Sequence, residues 1–165
     1  MFKIGFVGLD TTGQKIASHI MERKGYPVMG YDDHEENREL FHCNGGVAVE
    51  DPNIIYENCN LILLRFSDAQ VLTKSIENIL GTKRQGLTII NVSPIAHTKT
   101  HEIRKEVKKL QIALLDVSIP EIGLTETADL NTLSVRGEKI DYEKMAGFMN
   151  SIGEYFIYDG LIQDN

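Results

Sequence analysis

The stretch FKIGFVGLDTTGQKIASHIMERKGYPVMGYD, residues 2–32, decides the fold. It begins with an apolar strand, continues through a glycine-rich turn into a helical pattern, and ends with a second apolar strand. Asp32 follows that strand, 19 positions after Gly13. This order is typical of the first β-α-β unit of a dinucleotide-binding fold, in which the turn receives a pyrophosphate and the acidic residue receives a ribose.

The turn Gly8-Leu9-Asp10-Thr11-Thr12-Gly13 departs from the G-x-G-x-x-G pattern at its second glycine. A side chain there blocks the approach of a pyrophosphate. A carboxylate also repels it, by about 3 kcal/mol for unit charges about 5 Å apart at an effective dielectric constant near 20. Alternatively, Asp10 is a helix N-cap whose carboxylate accepts from the amides that a phosphate would use. The sequence leaves open whether the phosphate site is plugged, weakened or intact with Asp10 turned away.

Composition limits the class of protein. The 165 residues correspond to one domain, and a net charge of −7 argues against a nucleic-acid partner. Cys43 and Cys59 lack metal spacing, so we expect free thiols in a reducing compartment. The first strand begins almost at once, which leaves no room for a signal peptide, and no apolar run approaches the roughly 18 residues of a membrane span. We therefore expect a cytoplasmic protein with no membrane partner.

The rest of the chain alternates short apolar strands with amphipathic helices. We predict strands over residues 27–31, 47–49, 61–64, 87–92, 112–115, 133–135 and 155–158. Helices are predicted over 35–42, after Asp51, after Asp68, from 97 or 98, and over 142–150. Strands that alternate with helices in this way form a mostly parallel sheet covered on both faces. The predicted fold class is α/β, a Rossmann-type doubly wound sheet in a single domain.

Five short motifs occur in an order that resembles one family. They are GFVGL at 5–9, GYPVMGYD at 25–32, NVS at 91–93, LD at 115–116 and TLSVRG at 132–137. Together they resemble the N-terminal NAD(P)-binding domain of the β-hydroxyacid dehydrogenases, which include 6-phosphogluconate and 3-hydroxyisobutyrate dehydrogenases. The resemblance covers essentially all 165 residues.

The resemblance implies a cofactor, NAD or NADP, and a set of residues that bind it. It assigns the turn residues Gly8, Leu9, Asp10, Thr11, Thr12 and Gly13 to the pyrophosphate. It assigns Asp32 to the adenosine ribose, where the carboxylate accepts from both hydroxyls and repels the 2′-phosphate of NADP. It assigns Arg65, Phe66, Ser67 and Ser93 to the nicotinamide side. The alternative for Asp32 is a simple turn or cap before the next helix.

Two departures from the family concern catalysis. Pro120 and Glu121 stand where the family has a serine and a glycine that contact substrate, so no catalytic residue is assigned. The family's lysine acid/base belongs to a helical second domain, whereas here the Rossmann domain over 1–158 is followed only by residues 159–165. We expect either a domain cut from a longer protein or a naturally short chain, and in both cases an incomplete hydride-transfer site. The resemblance implies a dinucleotide, a small hydroxy acid and a second copy of the chain as partners.

Other candidate sites are weaker. His97 and His101 share a helical spacing without a third ligand, so no metal site is predicted. Cys43 has no recognisable base, and Glu121 and Glu126 fit ordinary loop carboxylates. Three hypotheses remain. The first is the cofactor domain of a β-hydroxyacid dehydrogenase-like oxidoreductase, and the second is a degenerate Rossmann module, plugged by Asp10, that serves in protein interaction or assembly. The third keeps the enzyme class but changes the cofactor to one that depends less on close approach of a pyrophosphate, and the sequence does not separate it from the first.

Overall fold

The computed structural model describes residues 3–95, 101–120, 130 and 132–162. A mixed β-sheet forms the centre of this part of the protein. In these residues the sheet has eight strands in the order β3-β2-β1-β4-β5-β6-β7-β8. The strands are β1 (Ile4–Val7), β2 (Val28–Tyr31), β3 (Val47–Ala48), β4 (Leu61–Leu64), β5 (Thr88–Asn91), β6 (Ala113–Ser118), β7 (Thr132–Arg136) and β8 (Tyr155–Tyr158). Strands β1 to β6 are parallel, β7 runs antiparallel to β6, and β8 is parallel to β7.

Helices cover both faces of the sheet. They are α1 (Thr11–Lys24), α2 (Glu35–Cys43), α3 (Pro52–Asn58), α4 (Ala69–Gly81), α5 (His101–Lys109) and α6 (Lys139–Met149). Buried side chains of α1, α2 and α6, including Ile16, Phe41 and Met149, pack on one face. Those of α3, α4 and α5, including Ile55 and Ile76, pack on the other. This arrangement confirms the predicted doubly wound, mostly parallel α/β fold.

The central strands are apolar on both faces because both faces are covered. All four residues of β1 and all four of β4 are buried. Chain order reverses at this pair, since β1 has β2 on one side and β4 on the other. In open α/β sheets, ligands bind outside the carboxyl ends of the strands at such a reversal.

Element boundaries differ from the prediction near the carboxyl half. Strand β6 continues to Ser118 rather than 115 because it pairs antiparallel with β7, where Ser118 lies opposite Ser134. Helix α6 begins at Lys139 rather than 142. Its first turn carries Ile140, which is 73% exposed, so the apolar spacing does not mark where the helix begins. The predicted strands 61–64 and 155–158 are confirmed.

Several predicted features fall on parts of the chain outside the described residues. These are His97, the predicted start of the helix at 97 or 98, Glu121 and Glu126. Within the described residues, no helix combines the length and apolar character needed to cross a bilayer.

Candidate functional site

Four parallel strands end at one edge of the sheet and bring the predicted site together. Val7 of β1 lies in register with Tyr31 of β2 and Leu64 of β4, and Leu64 lies in register with Asn91 of β5. The residues that immediately follow these strand ends are Gly8, Asp32, Arg65 and Val92. Residues 8, 32 and 65 are far apart in the chain, and the parallel register places them side by side.

The two intact glycines of the turn are required by close packing. Gly8 has a φ of +106°, and a Cβ there would overlap the carbonyl oxygen of Arg65. A Cβ on Gly13 would overlap the carbonyl oxygen of Gly8. Glycine is the residue that tolerates both the left-handed backbone and such contacts. The turn therefore keeps the close approach of β1, β4 and α1 that the fingerprint describes.

Asp10, at the missing glycine, is the N-cap of α1. Its Oδ1 accepts from the Gly13 amide at 2.7 Å. The Arg65 Nε donates to both carboxylate oxygens, at 2.9 and 3.1 Å. The N-cap interpretation is confirmed, and the ion pair with Arg65 adds a partner that the sequence did not indicate. The Asp10 carboxylate thus takes one of the helix amides that a phosphate would use.

Arg65 is buried, and its guanidinium connects two loops of the site. Its side chain is 5% exposed, whereas that of Asp10 is 58% exposed. Its Nη1 donates to the Val92 carbonyl oxygen at 2.8 Å, so one guanidinium joins the turn after β1 to the end of β5. The side chain contacts the phosphate turn, and its assignment to the nicotinamide side stays a prediction.

Asp32 is held in place by hydrogen bonds from two directions. Its Oδ2 accepts from the Leu9 amide at 2.7 Å, while its Oδ1 accepts from the His34 amide at 2.9 Å and from the Asn37 Nδ2 at 3.2 Å. The His34 Nδ1 also lies 3.1 Å from Oδ1. Burial by itself would raise the pKa of Asp32, but the hydrogen bonds from His34, Leu9 and Asn37 outweigh it and hold the pKa below its usual value.

These contacts decide which oxygen of Asp32 can meet a ribose. Oδ1 already has donors from His34 and Asn37, while Oδ2 has the Leu9 amide as its donor among the described residues. A carboxylate oxygen has two lone pairs. Oδ2 therefore retains room for one ribose hydroxyl. Asp32 can serve both as a turn residue before α2, through Oδ1, and as an acceptor for a ribose, through Oδ2.

Gln14 and Arg38 support Asp32 and were not found from the sequence. The Gln14 Nε2 donates to the carbonyl oxygens of Leu9 and Asn37, at 3.2 and 2.9 Å, and both of these residues in turn donate to Asp32. The Arg38 Nη1 donates to the Asp32 carbonyl oxygen at 2.7 Å. Gln14 is 92% buried in the first turn of α1, and a buried polar side chain there would have indicated its role. Burial cannot be read from a single sequence, so the role of Gln14 was missed.

The remaining predicted residues have mainly structural contacts. The Phe66 amide donates to the Ser93 Oγ at 2.9 Å, which joins the loops after β4 and β5, and Ser93 is buried. Ser67 is exposed. In the phosphate turn, the Leu9 side chain lies in the core and Thr12 is buried, whereas Thr11 is exposed.

A cleft of about 410 Å³ opens beside the ends of β1 and β2. Its walls include Val7, Tyr31, Tyr56, Phe66 and Val71. Polar and charged side chains make up the other half of the lining, with Asp33, Asn53, Gln70, Lys74, Ser75 and Asn78. A similar cavity of about 430 Å³ lies at the far edge of the sheet, against α2 and β3, away from the chain reversal.

The cysteines and histidines do not form a second site within the described residues. Cys59 is buried, and desolvation raises the pKa of its thiol to about 11, while Cys43 is exposed. No group of three His, Cys, Asp or Glu side chains there could hold a metal ion.

Comparison with known proteins agrees with this geometry. Residues 3–160 match the model of the NAD binding domain of 6-phosphogluconate dehydrogenase. The mitochondrial 3-hydroxyisobutyrate dehydrogenase of Mus musculus is 23% identical over 163 residues, which cover 96% of this chain and 48% of that protein. The chain thus spans about half the length of the curated relatives it matches.

Solved structures share the fold. The Mycobacterium tuberculosis 3-hydroxyisobutyrate dehydrogenase with L-serine superposes with a TM-score of 0.83 at 17% identity, covering 98% of this chain and 55% of that one. An imine reductase from Myxococcus stipitatus in complex with NADP⁺ gives a TM-score of 0.73 at 13% identity, covering 96% of this chain and 55% of that one.

Proposed function

Because this chain belongs to the family of the NAD binding domain of 6-phosphogluconate dehydrogenase, we propose that it is the cofactor-binding half of a hydroxyacid dehydrogenase. The family is one of oxidoreductases that resemble 3-hydroxyisobutyrate and 6-phosphogluconate dehydrogenases. In our proposal the 165 residues bind the dinucleotide but do not transfer hydride alone. The observation that carries the proposal is Asp32, an ionised carboxylate held beside the phosphate turn by the Leu9 amide.

The adenosine end of NAD fits the residues present. Asp32 Oδ2 retains room for one ribose hydroxyl, and in our proposal the adenine ring enters the cleft beside Val7 and Tyr31, which offers both aromatic and polar side chains. The pyrophosphate fits less well, because the Gly13 amide already donates to the Asp10 carboxylate. The nicotinamide ring would supply hydride transfer when bound, and the loops that begin at Arg65 and Ser93 would lie on its side.

We expect NAD to be preferred over NADP. The pKa of Asp32 lies below its usual value, so the carboxylate is negative at neutral pH and repels a 2′-phosphate. The nearby cation Arg38 donates to the Asp32 carbonyl oxygen and lies 5.9 Å from the centre of the Tyr31 ring. In that position Arg38 donates to the backbone of Asp32, and among the described residues no hydrogen bond or ion pair joins its guanidinium to the Asp32 carboxylate, which in our proposal faces the ribose.

The substrate and the acid/base group belong to the proposed whole enzyme. In our proposal, which follows the resemblance to the β-hydroxyacid dehydrogenases, the substrate is a small hydroxy acid, the proton is carried by a lysine of a helical second domain, and two copies associate. Pro120, in the family's substrate loop, supports our view that the family's substrate contacts do not carry over. A free, exposed Cys43 fits a reducing compartment such as the cytoplasm.

The test is titration calorimetry of the 165-residue chain with NADH and NADPH, together with an activity assay on small hydroxy acids. We expect NADH binding tighter than about 100 μM, which is roughly −5.5 kcal/mol, weaker NADPH binding and no turnover. Hydroxy-acid oxidation by the purified chain would contradict the proposed division between cofactor half and catalytic half.

A second candidate function is an interaction or assembly module on the same fold. It is favoured by the Asp10 carboxylate, which accepts from the Gly13 amide at the N-terminus of α1 and from Arg65. The edge strand β8 also exposes Tyr155 and Ile157, at 68% and 58%, where a protein partner could pack. Absence of heat with either nucleotide in the calorimetry would favour this function over cofactor binding.

A further inference from the structure

The amide nitrogen of Gln14 joins two backbone segments that are distant in the chain. Its Nε2 donates to the Leu9 carbonyl oxygen at 3.2 Å and to the Asn37 carbonyl oxygen at 2.9 Å. A glutamine amide nitrogen carries two N–H donors, so these two bonds use its full donor capacity. Gln14 is 8% exposed, and a buried amide held at both hydrogens has one orientation. The turn after β1 is thereby fixed to the first turn of α2.

The two residues that Gln14 holds are also donors to the Asp32 carboxylate. The Leu9 amide donates to Oδ2 at 2.7 Å, and the Asn37 Nδ2 donates to Oδ1 at 3.2 Å. The carboxylate therefore lies between the two segments that Gln14 joins. A movement of either segment would shift a donor on one side of Asp32.

The orientation of Asp32 matters for the choice between the two dinucleotides. In the proposed function its Oδ2 accepts from a ribose hydroxyl, and a hydrogen bond depends on the distance and direction of its acceptor. The repulsion of a 2′-phosphate also depends on distance, since it weakens as the two charges move apart. A carboxylate held from both sides consequently discriminates better than one that is free to rotate.

We infer that Gln14 is a positioning residue that sets the choice between NAD and NADP by fixing the donors on both sides of Asp32. The inference rests on the proposed function. Gln14 contacts the backbone of Leu9 and Asn37, so it acts through Asp32. Without its amide the two segments are no longer joined, and the carboxylate can turn away from the ribose. NADH then loses a hydrogen bond, whereas NADPH is also relieved of repulsion.

The experiment is titration calorimetry of the 165-residue chain with NADH and NADPH, for wild type, Gln14→Met, Gln14→Ala, Asp32→Asn and the double variant Gln14→Met/Asp32→Asn. Methionine is an unbranched side chain that removes both donors. Alanine is the best helix former and leaves room for water at the two carbonyl oxygens. The matched control is Ser151→Ala, which removes the hydrogen bond from the buried Ser151 Oγ to the Phe148 carbonyl oxygen, in the turn after α6.

An NMR titration of the Asp32 carboxyl gives a second readout that needs no ligand. Hydrogen bonds, including those from Leu9 and Asn37, hold the pKa of Asp32 below its usual value. In Gln14→Met this pKa should rise towards the usual range, because the donors lose their fixed positions. The titratable and charged side chains that adjoin Asp32 are the same in every variant: Tyr31, Asp33, His34 and Arg38.

We expect the dissociation constant of NADPH, divided by that of NADH, to fall about threefold in Gln14→Met, as partial loss of one hydrogen bond allows. The double variant should give the same ratio as Asp32→Asn alone, because Gln14 acts through the Asp32 carboxylate. Ser151→Ala should keep the ratio and the Asp32 pKa of wild type. Thermal melts by circular dichroism show which variants are folded, and if Gln14→Met is not, Gln14→Ala supplies both readouts.

An unchanged ratio in a folded Gln14 variant, or an unchanged pKa of Asp32, would overturn the inference while NADH binding by wild type still upheld the proposed function. If wild type binds neither nucleotide, the proposed function fails and the inference fails with it.

Discussion

Asp10 and Asp32 are two carboxylates at the same edge of the sheet, and their surroundings give them different properties. Asp32 has an 11% exposed side chain with donors on both oxygens, so its charge and orientation are fixed. Asp10 is 58% exposed and paired with a buried cation. Asp32 is therefore held rigidly by its donors, whereas the Asp10 carboxylate is exposed to solvent on one side.

At the residue scale, we predict that Asp32→Asn weakens NADH binding about tenfold or more, because a hydroxyl bound to a charged acceptor loses that charge. NADPH binding should weaken less, since repulsion of the 2′-phosphate is removed as well. Calorimetry with both nucleotides measures the ratio of the NADH and NADPH dissociation constants. A ratio equal to that of wild type would mean that Asp32 does not select the cofactor.

The lowered pKa of Asp32 also predicts a pH dependence of stability. A carboxyl whose pKa is lower in the folded state stabilises the protein above its unfolded pKa of about 4, and this contribution is lost as the pH falls through the folded pKa. The free energies of unfolding of wild type and Asp32→Asn should therefore converge as the pH falls below about 4. Denaturant titrations between neutral and acid pH test this, and parallel curves would contradict it.

At the scale of elements, the turn between β1 and α1 depends on the strand β4 beside it. The Gly8 amide donates to the Tyr31 carbonyl oxygen at 2.9 Å, and the Arg65 amide donates to the Val7 carbonyl oxygen at 2.8 Å. These bonds continue the sheet beyond the ends of its strands and bring the Arg65 backbone against Gly8. The phosphate turn is thus shaped by β2 and β4 as well as by its own glycines.

We therefore predict that Gly8→Ala destabilises the fold by about 3 kcal/mol or more, from left-handed strain plus overlap with the Arg65 carbonyl. The matched control is Gly147→Ala within α6, where a Cβ has nothing within 4 Å. That substitution should stabilise the protein by about 0.5–1 kcal/mol, since alanine favours a helix interior. Equilibrium unfolding in urea measures both, and equal effects would refute the role assigned to Gly8.

At the scale of the whole molecule, the sheet separates two cores that the helices close from either side. Cys59 belongs to the core covered by α3, α4 and α5, and its Sγ lies near the backbone of Gly5 in the central strand β1. Access to this thiol requires the layers to separate. Cys43 lies exposed at the end of α2.

Thiol labelling consequently reports on global unfolding. At pH 7 to 8 we expect a disulfide reagent to modify Cys43 quickly and Cys59 only as the protein unfolds, because Cys59 is buried and its pKa, about 11, keeps it protonated. The stoichiometry should rise from one thiol to two across the denaturant transition. A Cys43→Ser variant isolates the slow thiol, and rapid labelling of that variant in native buffer would show that the core opens locally.

The sequence by itself determined the order of strands and helices, the turn with Gly8 and Gly13, and Asp32 at the end of β2. These features depend on local spacing, apolar periodicity and glycine conformation, which are written in consecutive residues. It also offered the N-cap role of Asp10 as one of its alternatives, since a cap acts within one helical turn.

Only the tertiary structure decided that Arg65 pairs with Asp10, 55 residues away, that Gln14 joins Leu9 to Asn37, and that β7 pairs antiparallel with β6. Each of these depends on which strands are neighbours and in what register. Contacts between residues that are distant in the chain are not specified by the local spacing around either of them. For that reason the sequence predicts the turn at which a dinucleotide would bind, and the structure shows that the Asp10 carboxylate pairs there with the Arg65 guanidinium.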